Sequence, residues 1–283
     1  MSNSVYQRVT DEIIRQLESG AMPWIKPWKA DSTADKNIIS QKPYSGINRL
    51  ILGMEGMLKG YETPVWASFK QWQGLGATVR KGERGAMIVY YQPKVIGKDK
   101  EGNESMYMLL KSYFVFNVSQ CDGIEIRPEL IETLDFVASD EAEKRIALTG
   151  ANISHGSDAA FYSPGNDRIQ LPNKATFDNP ESYYATAFHE LTHWTGSKSR
   201  CDRNLSGKYG NPAYAFEELV AEMGAAFLCQ DYKIQGEMRH AGYIKNWLKA
   251  CKDDNKAIFK AAALAQKAAD YVNALNVELK IAA

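Results

Sequence analysis

The sequence predicts an α+β protein of two domains, with strands concentrated in the first half and helices in the second. Two runs rich in aromatic and β-branched residues, Val89–Tyr91 and Tyr113–Asn117, are typical of strands. The segment 121–128 follows the last predicted strand and contains a Gly and a Pro. We therefore expect an α+β domain over 1–125 and a mostly helical domain over 126–283. Three segments of the second domain repeat apolar residues at helical spacing: 178–196, 214–228 and 255–279.

The first elements follow from the spacing of apolar residues. Val5, Ile13 and Leu17 lie on one face of a predicted opening helix. The stretch 66–84 predicts a helix, then a glycine turn, then a strand.

Length and composition limit the class of protein. The chain has 283 residues, of which 45% are hydrophobic, and this is enough for two packed cores. It has no apolar run of about 18 residues and no N-terminal leader pattern, so we expect a soluble, cytoplasmic protein that does not contact membranes. Its four cysteines lack paired spacing, which is typical of reduced thiols.

Charge is unevenly distributed, although the whole chain is formally neutral. Residues 23–94 contain eleven Lys or Arg and five Asp or Glu, a net charge of +6, together with four of the six tryptophans. Cations neutralise phosphates and aromatic rings stack on unpaired bases, so this pattern favours a single-stranded nucleic acid as partner. The alternative is that the rings form core and the charges a solvated rim. The candidate contact residues are Trp24, Lys26, Trp28, Lys29, Lys42, Tyr44, Arg49, Trp66, Lys70, Trp72, Arg80, Lys81 and Arg84.

The most specific motif is the pentapeptide His189-Glu190-Leu191-Thr192-His193. Two histidines four residues apart on a helix share one face and can bind one zinc ion. The intervening Glu190 is then placed to act as general base on the water that zinc activates. Residues 178–181 have the features of a helix start, and Gly196 is suited to the stop, so the motif lies on a helix.

A zinc site of this kind needs a third protein ligand, which we sought on the following helical segment, 214–228. Glu218 and Glu222 are four residues apart and point the same way among apolar neighbours. We predict that Glu218 is the third ligand and that Glu222 accepts the second ring proton of a ligand histidine. Glu217 is expected to face solvent. The alternative is that all three acids lie on a solvated helix face.

Residues 159–172 predict a hairpin around a Pro-Gly-Asn-Asp turn. Its second strand, Asp167–Leu171, is a candidate to line the metal cleft and bind an extended peptide by strand addition, or is an ordinary structural strand. Four residues are candidates to stabilise an oxyanion, and the spacing does not discriminate among them: Tyr209, Tyr214, His240 and Tyr243.

The arrangement of His189, His193 and Glu218 resembles that of the gluzincin class of zincin metallopeptidases. In that class a glutamate on a following helix completes the site, and an acid four residues later supports a histidine. The resemblance covers mainly residues 178–230 and implies Zn²⁺ as cofactor, with Mn²⁺ or another divalent ion as alternatives. The third histidine of metzincins is replaced by Ser199.

The first half carries a second resemblance, in the order of its motifs. Met22–Trp28 is followed by Pro43–Leu50, Trp66–Trp72 and Val79–Gly85, and then by the two predicted strands. This order is similar to that in the N-terminal domain of ArdC-type antirestriction proteins, which conjugative plasmids carry. The resemblance implies that this domain binds single-stranded DNA, that a zincin-like domain follows it, and that the protein protects incoming DNA from host restriction.

Two other functions stay open at this stage. The chain is alternatively a cytosolic zinc metallopeptidase that acts on a protein substrate, with the N-terminal domain as a recognition module. A third hypothesis is an interaction protein that occludes a host restriction enzyme directly. The same ligands serve a hydrolytic site and a purely structural one, so the ligand pattern does not decide among these functions.

Overall fold

The computed structural model describes residues 4–18, 35–61, 63–98, 104–124, 138–156, 159–177, 179–206, 211–234 and 244–275. Within them, the first half forms α1 (Val5–Glu18), β1 (Lys36–Asn37), α2 (Ile47–Lys59), β2 (Val65–Ser68), α3 (Phe69–Gly74), β3 (Thr78–Val79), β4 (Ala86–Lys98), β5 (Glu104–Asn117) and β6 (Cys121–Asp122). The second half forms α4 (Ala138–Leu148), β7 (Asn152–His155), β8 (Phe161–Ser163), β9 (Arg168–Leu171), α5 (Pro180–Thr195), α6 (Pro212–Asp231), α7 (Ile244–Asp253) and α8 (Ala257–Ala274). The predicted domain boundary falls in 125–137, outside the described residues.

The strands form three small sheets, which confirms the α+β prediction. The main sheet has the order β1-β2-β5-β4, with β1 parallel to β2 and the other neighbours antiparallel. Strands β4 and β5 are its longest members and pair along most of their length. The second half contains a three-stranded sheet of order β7-β9-β8, and a short β3-β6 pair lies in the first half.

One hydrophobic core joins the two halves of the chain. Val9, Ile13 and Leu17 on the predicted opening helix are buried, together with apolar residues of α2 and of the helices α5, α6 and α8. Polar contacts reinforce this packing. Thr10 Oγ1 donates to the Asn255 carbonyl at 2.8 Å. Helices α1 and α2 therefore connect the main sheet to the helical half.

Arg49 is the principal polar link between α2 and α6. Its guanidinium Nη2 donates to the Phe227 carbonyl at 2.8 Å and to Asp231 Oδ1 at 2.6 Å, and its Nε donates to Gln230. The guanidinium carbon lies 4.7 Å from the centroid of the Phe227 ring. The side chain is only 5% exposed, so the prediction that Arg49 contacts nucleic acid is wrong. It binds the second half of the same chain instead.

The two tryptophans of 66–72 are also core residues. Trp66 and Trp72 are fully buried, and their ring nitrogens donate to Asp35 and to the Phe116 carbonyl. Because no ring face is accessible, the prediction that they stack on bases is wrong. The stretch is not one helix either. It begins as strand β2, and the capping box that Ser68 forms with Gln71 starts α3 only afterwards.

The helix boundaries of the second half follow the local signals. Asn179 caps α5 with Pro180 at the first helical position, and Gly196 follows its last residue, as predicted. Asn211 and Pro212 repeat this start at α6. All four cysteines are buried and free. Among the described residues, no helix is long and apolar enough to cross a membrane.

Replacing Arg49 by Met should lower the free energy of unfolding by about 2–4 kcal/mol, because Asp231 and the Phe227 carbonyl then lose a buried partner. Chemical denaturation of the purified chain measures this. Arg15→Met is the control: its side chain is 61% exposed, so we expect a change below about 1 kcal/mol. Equal effects of the two substitutions would contradict the role of Arg49 as a buried link.

Candidate metal centre

Close packing of α5 on α6 brings the motif histidines to the acids of the second helix. A methyl group added at Gly224 would lie only 2.5 Å from Thr192 Cγ2, so the two helices approach each other as closely as a glycine allows. Thr192 is the neighbour of His193 in the chain, and Gly224 lies less than two turns after Glu218 and less than one turn after Glu222. The contact therefore sets how far the histidines stand from the carboxylates.

Three ligand atoms converge between these helices, from His189, His193 and Glu218. The two Nε2 atoms are 3.1 Å apart, and the Glu218 oxygens lie 3.6 Å from Nε2 of His189 and 3.4 Å from that of His193. A tetrahedral ion with bonds of about 2.0–2.2 Å holds its ligand atoms roughly 3.3–3.6 Å apart. The three residues therefore fit a divalent metal ion, as predicted from the sequence.

The Nδ1 side of each imidazole ring, across the ring from Nε2, faces a carboxylate. His193 Nδ1 donates to Glu217 Oε1 at 3.2 Å, and His189 Nδ1 lies 3.7 Å from Glu222 Oε1. A carboxylate at Nδ1 favours the tautomer that keeps the proton there. The lone pairs of both Nε2 atoms are then directed to the same point, which is the arrangement that a metal ion requires.

Glu217 departs from the prediction that it faces solvent. It is 7% exposed, and Arg203 donates to both of its carboxylate oxygens, at 2.8 and 3.0 Å. Arg203 is itself buried and also donates to Thr195 Oγ1 at 2.8 Å. A continuous chain of contacts thus runs from Arg203 through Glu217 to the ring of His193. Arg203 lies in the loop before α6 and carries no motif of its own, so it is not among the residues predicted from sequence.

The ionisation of these groups reflects their mutual contacts. Burial lowers the pKa of His193, but its hydrogen bonds with Glu217 and Glu218 and the nearby charge of Glu190 raise it to about 10. Burial raises the pKa of Glu218, but its hydrogen bonds with the two histidines have the larger effect. The net result is a pKa well below the usual range. Burial likewise raises the pKa of Glu217, and His193 and Arg203 outweigh that effect. The centre is therefore rich in ionised carboxylates and attracts a cation.

The other residues predicted for this half differ in their location and burial. Glu190 is buried, at 6% exposure, on the helix of the ligand histidines. Strand β9 lies between β7 and β8, so its backbone is paired on both sides. Of the two alternatives, the ordinary structural strand agrees with this pairing, and peptide binding by strand addition at β9 does not. Strand β8 is an edge of this sheet.

Of the oxyanion candidates, Tyr214 is half-buried in the first turn of α6, and three lie outside the described residues: Tyr209, His240 and Tyr243.

The remaining nucleic-acid candidates fall into four groups. Tyr44 is half-buried beside Trp66, and its hydroxyl accepts from Asn37 Nδ2 at 3.3 Å. Arg80 is exposed but donates to Glu83 and Asp122. The other exposed cations are Lys42, Lys70, Lys81 and Arg84. Four candidates lie outside the described residues: Trp24, Lys26, Trp28 and Lys29.

Comparison with known proteins connects both halves to one family. Residues 3–116 match the N-terminal domain of the anti-restriction factor ArdC, and residues 140–264 match a zincin-like metallopeptidase family. The crystal structure of the antirestriction protein ArdC from plasmid R388, free of metal, superposes with a TM-score of 0.82 at 40% identity, covering 95% of this chain and 97% of that one. The chain belongs to the ArdC family of antirestriction proteins.

Other ArdC relatives extend the comparison. The Mn(II)-bound structure of R388 ArdC superposes with a TM-score of 0.81 at 37% identity, covering 98% of this chain and all of that one. The protein y4eC of Sinorhizobium fredii is 38% identical over an alignment of 284 positions, which covers 95% of this chain and 92% of y4eC. Two DNA primases TraC of Escherichia coli match 96% of this chain at 38% and 35% identity, but the matched region is only 27% and 20% of their lengths.

Replacing Glu217 by Gln should weaken metal binding by about 10- to 100-fold, because the ring of His193 loses its carboxylate acceptor. Competition with a chromophoric chelator measures the affinity. Glu181→Gln is the matched control, since it makes the same chemical change on α5 roughly 18 Å before His193. Thermal unfolding of the metal-free variants checks that the fold persists. Unchanged affinity in Glu217→Gln would show that the contact does not position the ring.

Proposed function

We propose that this ArdC-family protein binds single-stranded DNA through its first half and thereby protects incoming DNA from host restriction. The observation that carries the proposal is the match to an antirestriction protein over nearly the whole length of both chains. The excess of cations in residues 23–94 supports it, because phosphate contacts provide most of the affinity for an unspecific nucleic-acid ligand.

The cations proposed to meet phosphates are those that the structure leaves exposed. Lys70 follows the exposed ring of Phe69 at the start of α3, and Lys81 and Arg84 lie in the loop before β4. Lys42 precedes α2. The proposal also includes four residues that the sequence alone supports: Trp24, Lys26, Trp28 and Lys29. This set has five residues fewer than the sequence predicts. Three of the five are buried: Arg49, Trp66 and Trp72. Tyr44 packs beside Trp66, and Arg80 donates to Glu83 and Asp122.

For the metal, we propose Zn²⁺ held by His189, His193 and Glu218. Two imidazole nitrogens and one carboxylate oxygen form a donor set typical of zinc sites with an open position. Manganese is the alternative, since imidazole and carboxylate also bind it and a relative was crystallised with Mn(II). Glu222 and Glu217 would hold the ring orientation of the two histidines.

The DNA proposal predicts tighter binding to single-stranded than to double-stranded oligonucleotides, with affinity that falls as salt rises. Filter binding across a salt series measures both. In Lys70→Gln, Lys81→Gln and Arg84→Gln, the log–log salt slope should become shallower by about 0.7 for each phosphate contact removed. Lys260→Gln on α8, whose side chain is 61% exposed, should leave the slope unchanged. Equal weak binding to both kinds of DNA would refute the proposal.

A metallopeptidase is the second candidate function, and the position of Glu190 is the observation that favours it. This carboxylate is buried on the ligand helix yet is not one of the three ligands. A bound divalent metal supplies Lewis-acid chemistry at such a site. Glu190 would accept the proton of the attacking water, and β8, which is an edge strand among the described residues, would offer its backbone to an extended peptide.

The two candidate functions separate in Glu190→Gln, which keeps the size of the side chain and all three ligands. We expect this variant to retain metal and to protect unmodified plasmid DNA in a restricting host as the wild type does, while any peptide cleavage falls by at least about 100-fold. Metal content by mass spectrometry and transformation efficiency are the two measurements. Loss of protection with metal retained would instead make hydrolysis the function.

A further inference from the structure

Tyrosine rings are exposed on one face of the β4–β5 ribbon. Tyr90 and Tyr113 are 56% and 48% exposed, although aromatic side chains in sheets are usually covered. Directly paired residues point to the same side of a sheet, and the register pairs Tyr90 with Lys111 and Ile88 with Tyr113. The two rings and the lysine therefore share one face.

This face is covered over only part of its length. Ala86 and Val115 lie on the same side and are buried in a cluster with Leu52 of α2 and Trp66. Ile88 is partly buried against this cluster. The strands continue beyond the pair of Ile88 and Tyr113, and the side chains of Tyr90 and Tyr113 are exposed. The rings are diagonal neighbours, at about 7–8 Å between their positions, with Lys111 beside one of them.

The backbone beneath these rings is held from its edge. Asn48 of α2 bonds both backbone groups of Val89, donating to the carbonyl at 2.8 Å and accepting from the amide at 2.8 Å. Val89 precedes Tyr90 directly, so the strand that carries the ring is fixed to the core helix. Rings on a fixed strand lose little conformational freedom when a ligand stacks on them.

The charge of the surface indicates the kind of ligand. Residues 86–92 and 109–117 contain one charged side chain, Lys111, and no acid. Aromatic rings beside an unopposed cation are the combination that binds single strands without sequence preference, because rings stack on bases and cations contact phosphates. Apolar protein partners gain little from such a lysine.

We infer that Tyr90, Lys111 and Tyr113 form a base-stacking platform for single-stranded DNA. This inference rests on the proposed function and assigns to it a binding surface that the sequence analysis did not select. The opposite face of the same ribbon provides an internal comparison. Phe114 neighbours Tyr113 in the chain, is 54% exposed, and points to the other side of the sheet.

The test measures the affinity for a fluorescent oligothymidylate by anisotropy, with the full chain in its metal-loaded form. We expect Tyr90→Ala and Tyr113→Ala each to weaken binding by roughly 5- to 100-fold, while Tyr113→Phe stays within about 2-fold because the ring is kept. Lys111→Gln should make the salt slope shallower by about 0.7. Phe114→Ala is the matched control and should bind as the wild type does.

The outcomes separate the inference from the proposed function. If the wild type binds no single-stranded DNA, both fail. If the wild type binds and the tyrosine variants bind equally well, the platform alone is wrong. If Phe114→Ala weakens binding as much as Tyr113→Ala does, the bases do not lie on this face and the platform is again wrong. Thermal unfolding checks that each variant is folded, which we expect because the substituted rings are exposed.

Discussion

Four glutamates, Glu190, Glu217, Glu218 and Glu222, are buried between α5 and α6, and none is more than 7% exposed. Ionised carboxylates leave water only at a large cost in free energy unless cations or donors face them. Arg203 neutralises Glu217, and the two imidazoles face Glu217, Glu218 and Glu222. A divalent ion held by His189, His193 and Glu218 would add positive charge beside these carboxylates. The packing of the two helices and the affinity for metal thus depend on the same balance of charge.

Local sequence signals fix the start of both helices that carry this charged region. Both helices begin with the same device, an asparagine cap followed by proline, so the register of each helix is fixed at its first turn. Gly224 then lets the backbones approach at Thr192. Because the caps fix the start and the glycine fixes the spacing, the ligand positions follow from elements that a short stretch of sequence encodes.

The difference between local signals and non-local contacts explains which residues could be predicted from the sequence. Helical spacing identified His189, His193 and Glu218, because a metal site built on two helices follows their periodicity. The burial of Glu217 could not be predicted, because it depends on Arg203, which lies in a loop without any periodic signal. The burial of Trp66 could not be predicted for another reason. Composition shows that aromatic and basic residues share one stretch, but it does not show which of them the sheet covers. Burial in a mixed sheet depends on non-local pairing, here with β5.

The metal helix and the main sheet belong to one packed body. Helix α6 carries the metal acids in its first half, and its last turn binds Arg49 of α2, about 20 Å further along the axis. The residue before Arg49 is Asn48, which bonds Val89 on β4. Two consecutive residues of α2 thus contact the metal helix on one side and the exposed ribbon on the other. A metal ion bound by His189, His193 and Glu218 would stabilise α6, and α6 contacts the helix that supports the sheet through Arg49. Metal binding would therefore stabilise both halves, although their proposed ligands bind on separate surfaces.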